Sequence, residues 1–175
     1  MRNSTRVLLT AGAVGAGAAL YSGFPTRVGL TASQALVSMP GDLVFPSAPF
    51  QGDRVVDVDA NAQEIWPFVL GLRSIYEDSC DVPLDVLYEE RPTLIVWQTR
   101  HPVRDEGRGQ DIMSASVAVA VRPLGENRSR IHVRERYVPA PGRRAKLAAF
   151  AQLSVTAFSV GGLLRQMRRA LREGK

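Results

Sequence analysis

With one cysteine, two histidines and aromatic residues at 7%, this 175-residue chain has few of the side chains that most often carry chemistry. The lone Cys80 excludes an internal disulfide, and with only His101 and His132 beside it there is no cluster of zinc-like spacing. A nucleophile elbow, a phosphate loop and a dinucleotide fingerprint are all missing. Gly12 to Gly17 is none of these, since it neither follows a strand nor ends in Lys-Ser or Lys-Thr. Metal catalysis and covalent catalysis therefore lack support, and no metal or nucleotide cofactor is expected. The net charge of +5 suits an anionic partner, but no basic-aromatic motif concentrates it, so nucleic acid is not expected.

What is present divides into three parts. Residues 1–30 are a basic and apolar segment in which Arg2 and Arg6 precede Val7 to Phe24, 18 uncharged residues that just meet the length needed to span a bilayer. Gly12, Gly15 and Gly17 weaken its hydrophobicity, and the same pattern describes a cleaved signal peptide or a soluble tail. The membrane anchor is the reading preferred. The positive-inside rule then keeps the two arginines cytoplasmic and sends the domain across the membrane; secretion and a cytoplasmic location are the alternatives. Residues 31–52 read as a short helix, capped by Thr31 and Gln34 and reaching about Ser38, followed by a linker carrying Pro46 and Pro49. Residues 53–175, with 45% hydrophobic content over the whole chain, suffice for one core.

The clearest local signal is Asp53 to Leu72. Arg54 to Val58 is a β-branched run in which Val56 and Val58 share one face. Asn61 and Glu64 then form a capping box, and Ile65, Val69 and Leu72 recur at helical spacing, with Trp66 widening the stripe. Gly71 offers a stop, and Pro67 predicts a kink. Leu84 to Glu90 and Thr93 to Thr99 read as a hairpin turning at Arg91-Pro92, and His101 to Gln110 as a mobile loop. Glu77 to Pro83 is left between a short strand and none. Ile112 to Arg122 and Arg128 to Val138 form the longest hairpin. Met113, Ala115, Val117, Val119 and Val121 share one face of it, and the small Ser114, Ser116, Ala118 and Ala120 on the other leave room for close packing. Arg143 to Arg172 reads as one long helix, weakest at Gly161-Gly162, whose apolar first half is expected to be buried under the sheet.

This order of elements, with Met39-Pro40-Gly41-Asp42 before the first strand and Trp66-Pro67-Phe68 in the first helix, resembles the SRPBCC or START-like superfamily of polyketide cyclases and lipid-transfer domains, closest to little-characterised bacterial members. The resemblance implies an α+β helix-grip fold, a curved antiparallel sheet around a long C-terminal helix, and an apolar cavity between them. Five clear strands are fewer than full-length members usually have, which points to a small cavity or a filled core.

Function follows from that cavity. Ile131 and Val133 are apolar, so their face turns inward and carries Glu135 and Tyr137, while His132, Arg134 and Arg136 point out. Glu135 and Tyr137 are the only catalytic candidates, as an acid-base pair. Trp66, Trp97, Val117, Val119, Val133, Glu135, Tyr137, Phe150 and Phe158 are the expected ligand-lining residues, and His101 stands at a cavity mouth. The expected function is binding or transport of a lipid-like or polyketide-like small molecule. A cyclase or dehydratase is one alternative. Another is a non-catalytic interaction module at a membrane, whose Arg165, Arg168, Arg169 and Arg172, at i, i+3, i+4 and i+7, would meet anionic lipid.

Overall fold

The strand and capped helix read between Asp53 and Leu72 are both present, and both run longer than their sequence signals, in the computed structural model that describes residues 23–173. In chain order the elements are β1 (Arg27–Val28), α1 (Ala32–Ala35), β2 (Phe50–Val58), α2 (Ala62–Cys80), β3 (Leu84–Glu90), β4 (Leu94–Thr99), β5 (Val103–Asp105), β6 (Gln110–Gly125), β7 (Arg128–Pro139) and α3 (Arg143–Glu173). The stretch Val7 to Phe24 lies outside the described residues except for Gly23 and Phe24.

At α2, the Asn61 side chain accepts from the Gln63 and Glu64 amides at 3.0 Å each, and Glu64 accepts from the Asn61 amide at 3.1 Å. Gly71 does not stop the helix. Leu72, Tyr76 and Cys80 prolong the buried stripe of Ile65, Trp66 and Val69, so tertiary burial outweighs the local glycine signal, and the helix runs uninterrupted through Pro67. It ends at Asp81, which takes the left-handed conformation at φ 51°. Thr31 and Gln34 form their capping box, but α1 is a single turn ending well short of Ser38. The loop from His101 to Gln110 contains β5, which pairs with β6.

The seven strands form one curved sheet in the order β1-β2-β7-β6-β4-β3, with β5 on β6 beside this path. Every pairing is antiparallel except that of β1 with β2. Helix α3 packs chiefly on β2, then on β7 and β6, and against α2. By length and composition α3 could cross a membrane. Here its stripe of Ala149, Leu153, Ala157, Val160, Leu164 and Met167 is buried against the sheet, as the reading of a helix covering a sheet expects. Gly161 and Gly162 lie within the unbroken helix.

The other face of the sheet is covered by the chain's own residues 35–45. Met39 packs on Val96, Ala118 and Ala120. Gly41, at φ +95°, sits so close that a Cβ there would lie 3.1 Å from both Ala118 Cβ and Val96 Cγ1. The small residues of β6 thus make room for this strap. Arg134, buried under it, donates to Asp53 (2.7 Å), Asp42 (2.8 Å) and the carbonyls of Val37 (3.0 Å) and Ala35 (2.8 Å). Arg136 donates to the carbonyls of Asp42 and Phe45 at 2.8 Å each. Both arginines point away from α3, as strand parity predicts, yet Arg134 is not solvent-facing because the strap covers it.

Candidate functional site

Strand β7 turns Ile131, Val133, Glu135 and Tyr137 toward α3, and all four are fully buried. Strand β2 lies beside it and contributes Arg54, which has the same parity as Val56 and Val58 and is also fully buried. Arg54 forms an ion pair with Glu135 and donates from Nη2 to the Leu153 carbonyl of α3 at 3.0 Å. The Thr156 hydroxyl lies 3.5 Å from the same nitrogen. On the other side, Tyr137 donates its hydroxyl hydrogen to Glu135 Oε2 at 2.6 Å. Tyr76 of α2 also brings its hydroxyl to the Glu135 carboxylate.

Gly52 makes this arrangement possible. A Cβ on it would fall 2.7 Å from Arg54 Nη1 and 2.8 Å from Glu135 Oε1, and would overlap Leu153. The cluster sits between two apolar groups. One is built on Trp97, Val117, Val119, Val133 and Leu164, the other on Cys80, Val82, Met113, Ala115 and Leu153.

Burial raises the Glu135 carboxyl above its ordinary range, against the opposing pull of Arg54 and the Tyr137 hydrogen bond. Burial first, and the Glu135 charge second, push the Tyr76 and Tyr137 phenols well up. Cys80 is pushed up to about 11, mainly by burial, with Glu135 adding to the rise. Both phenols and the thiol therefore hold their protons at neutral pH, and Cys80 is a poor nucleophile.

The charge of Glu135 reaches Cys80, and Cys80 also lines a surface pocket of about 460 Å³ with Val82, His101, Pro102, Arg104 and Asp111. His101 thus stands at an opening, separated from the polar cluster by the Cys80 side chain, whose Sγ accepts from Gln152 Nε2 at 3.4 Å. A second pocket of about 440 Å³ lies on the opposite side of the sheet, between the strap at Gly41 and Leu43 and the edge strand at Leu87 and Tyr88.

Of the residues expected to line a ligand cavity, Trp66, Trp97, Val117, Val119, Val133, Glu135 and Tyr137 all point inward and are buried. Glu135 and Tyr137 are brought together as a pair. Phe150 and Phe158 are not there: they are 45% and 66% exposed on the side of α3 away from the sheet. Their error is one of helical phase, since the buried stripe passes through Ala149, Leu153, Ala157 and Val160. The inner space itself is occupied by Trp97, Tyr76, Tyr137, Leu153 and Ile131, each under 2% exposed. Arg54 and Tyr76 are absent from the sequence-based set. The first shares the parity of Val56 and Val58, and the second lies four residues past Leu72 on a stripe cut short at Gly71.

A sheet in this order, with one long C-terminal helix packed on its inner face, decides the architecture. The fold is an α+β helix-grip. No family model matches the chain, and no curated protein matches its sequence. Among solved structures, the chain is similar to a conserved protein from Geobacillus kaustophilus at 9% identity and a TM-score of 0.45, over 71% of this chain and 96% of that one. It is similar to a START superfamily protein from Mycobacterium smegmatis at 15% identity and a TM-score of 0.42, over 67% and 98%. It is also similar to the Zhui aromatase/cyclase from a Streptomyces species, at 15% identity and a TM-score of 0.36, over 68% and 93%. At these scores the helix-grip assignment rests on this chain's own topology.

Proposed function

We propose that this START-like domain binds a small amphipathic molecule that enters beside Cys80 and His101 and places its polar group at Arg54, Glu135 and Tyr76. The observation that carries the reading is a buried ion pair and two phenols gathered on one carboxylate in an otherwise apolar core, with Arg54 Nε left unpaired. Buried polar atoms are nearly always satisfied, and a core with no task beyond stability gains more from apolar side chains than from an ion pair. A ligand oxygen would satisfy the orphaned Arg54 Nε–H. Opening the path requires Cys80 and its neighbours to give way. Native mass spectrometry of the full chain tests this. A co-purifying small molecule that Tyr76→Phe releases supports binding; a clean protein mass, unchanged by a panel of amphipathic compounds, refutes it.

The second reading is a cyclase or dehydratase, favoured by the 2.6 Å Tyr137–Glu135 hydrogen bond, which joins a protonated phenol to a carboxylate as acid-base chemistry requires. Tyr137→Phe, which leaves the Arg54–Glu135 pair intact, separates the two: an enzyme loses turnover and keeps its ligand, while a carrier changes little. We further read Val7 to Phe24 as holding the domain at a membrane, on the length and lack of charge of that stretch. Flotation of the full chain with lipid vesicles checks it.

A further inference from the structure

The side of α3 turned away from the sheet is not the solvated face that a core helix normally presents. Leu147 is 68% exposed, Val155 53% and Phe158 66%, with Phe150 beside them. Leu147, Phe158, Arg165 and Arg172 follow at intervals of 11, 7 and 7 residues, which at about 100° per residue keeps them within roughly 20° of one line. The apolar patch and the basic stripe are therefore one continuous face. Arg143, Arg144 and Lys146 bound its other end, and Glu173 is the only acidic residue in the helix. An exposed apolar patch with cations on either side of it fits a surface that lies on anionic lipid headgroups.

A second observation fixes which surface covers this face. Phe24 packs on Phe158, ring centroids 4.9 Å apart. Phe24 is also the last residue of the uncharged stretch that begins at Val7, so that stretch joins the domain on this same face. We propose that the outer face of α3, from Leu147 to Arg172, lies on an anionic lipid bilayer, with Phe24 as the point where the chain turns from the domain into the membrane. This rests on the reading of Val7 to Phe24 as the membrane segment. Charge selects the bilayer over the segment folding back on the helix. From Phe158, either direction along α3 leads toward arginines, and the segment's own far end carries Arg2 and Arg6.

The test uses the full chain with Cys80→Ala and one environment-sensitive fluorophore, either at Val155→Cys on the outer face of α3 or at Leu43→Cys on the strap. Each is reconstituted in phosphatidylcholine vesicles with and without phosphatidylglycerol, and quenched with aqueous iodide. The expected result is that the Val155 label shifts to the blue and loses most of its quenching only with phosphatidylglycerol present, while the Leu43 label stays quenched in both. Replacing Arg165, Arg168, Arg169 and Arg172 by Gln abolishes that lipid dependence without releasing the chain from the vesicles. If the chain floats with the vesicles but the Val155 label stays fully quenched, the face is not membrane-apposed and the proposal falls while the anchor stands. Equal protection in both lipids marks a cover made by the chain itself or a second copy, and overturns it too. A chain that does not float at all removes both the anchor and this proposal.

Discussion

Arg54 and Glu135 are not opposite one another in the sheet: Arg54 is registered with Val133 and Glu135 with Gly52, and their ion pair closes diagonally over the bare Cα of Gly52. Three positions on two strands are thereby locked into one unit. The guanidinium gains a carboxylate, the Leu153 carbonyl of α3 and the Thr156 hydroxyl, so the same unit also docks the helix onto the sheet.

Removing one partner of that pair leaves an uncompensated buried charge. Arg54→Met and Glu135→Leu singly should each destabilise the fold by about 3 to 5 kcal/mol, while the double substitution should recover most of the loss. Urea denaturation of the two single variants and the double variant measures this. Additive losses would mean that the two side chains act independently, against the geometry described.

Gly52→Ala places a methyl group against Arg54, Glu135 and Leu153 at once. Overpacking of this kind costs about 1 to 3 kcal/mol, and here the displaced atoms belong to the polar cluster. The melting temperature should fall. In the Arg54→Met/Glu135→Leu background the penalty should shrink, because two of the three clashing groups have changed.

Acid should loosen the strap. Burial pushes the Asp53 carboxyl up, but hydrogen bonds from His132, Gln51 and Arg134 outweigh it and hold it below the ordinary carboxylate value. A lowered folded value means that this stabilisation is fully present above the unfolded value of about 3.9 and is lost as pH falls from there through the folded value. Limited proteolysis between Ala35 and Phe45 should therefore accelerate below about pH 4, and Asp53→Asn, cleaved faster at neutral pH, should show a flatter pH profile over that range.

Cys80 should be inert in the folded protein. With its thiol pushed up to about 11, roughly one in a thousand is ionised at pH 8, and the side chain is buried besides. Alkylation should be far slower than in guanidinium chloride, and fast labelling of the native chain would mean that the mouth beside His101 stands open.

Strand parity and helix periodicity carried much of this structure in the sequence. The inward set on β7 follows from Ile131 and Val133, and it delivers Glu135 and Tyr137 together. The capping boxes at Asn61 and Thr31 are both formed. The parts that were not legible depend on contacts distant in sequence. Gly71 reads locally as a stop, and only the burial of Tyr76 and Cys80 explains why the helix continues. Arg54 shares the parity of Val56 and Val58, but nothing local marks a guanidinium as a core group until Glu135 is placed beside it. Phe150 and Phe158 read as ligand-lining because they are large and apolar, whereas the inner stripe of α3 is built largely from Ala, Leu, Thr and Val.

Strand β6 has no outdoor side. From Ala115 to Val121 seven consecutive residues are buried, Ala115 and three valines on the α3 side and Ser116, Ala118 and Ala120 on the strap side, whereas β3 is exposed from Leu87 to Glu90. The alternation of large and small in β6 thus records two ceilings of different height above one floor. Tolerance to substitution in this domain should follow distance from β6 across the sheet, not the in-and-out rhythm of each strand. Its freest positions lie along the β3 rim, where the chain can change without disturbing either layer.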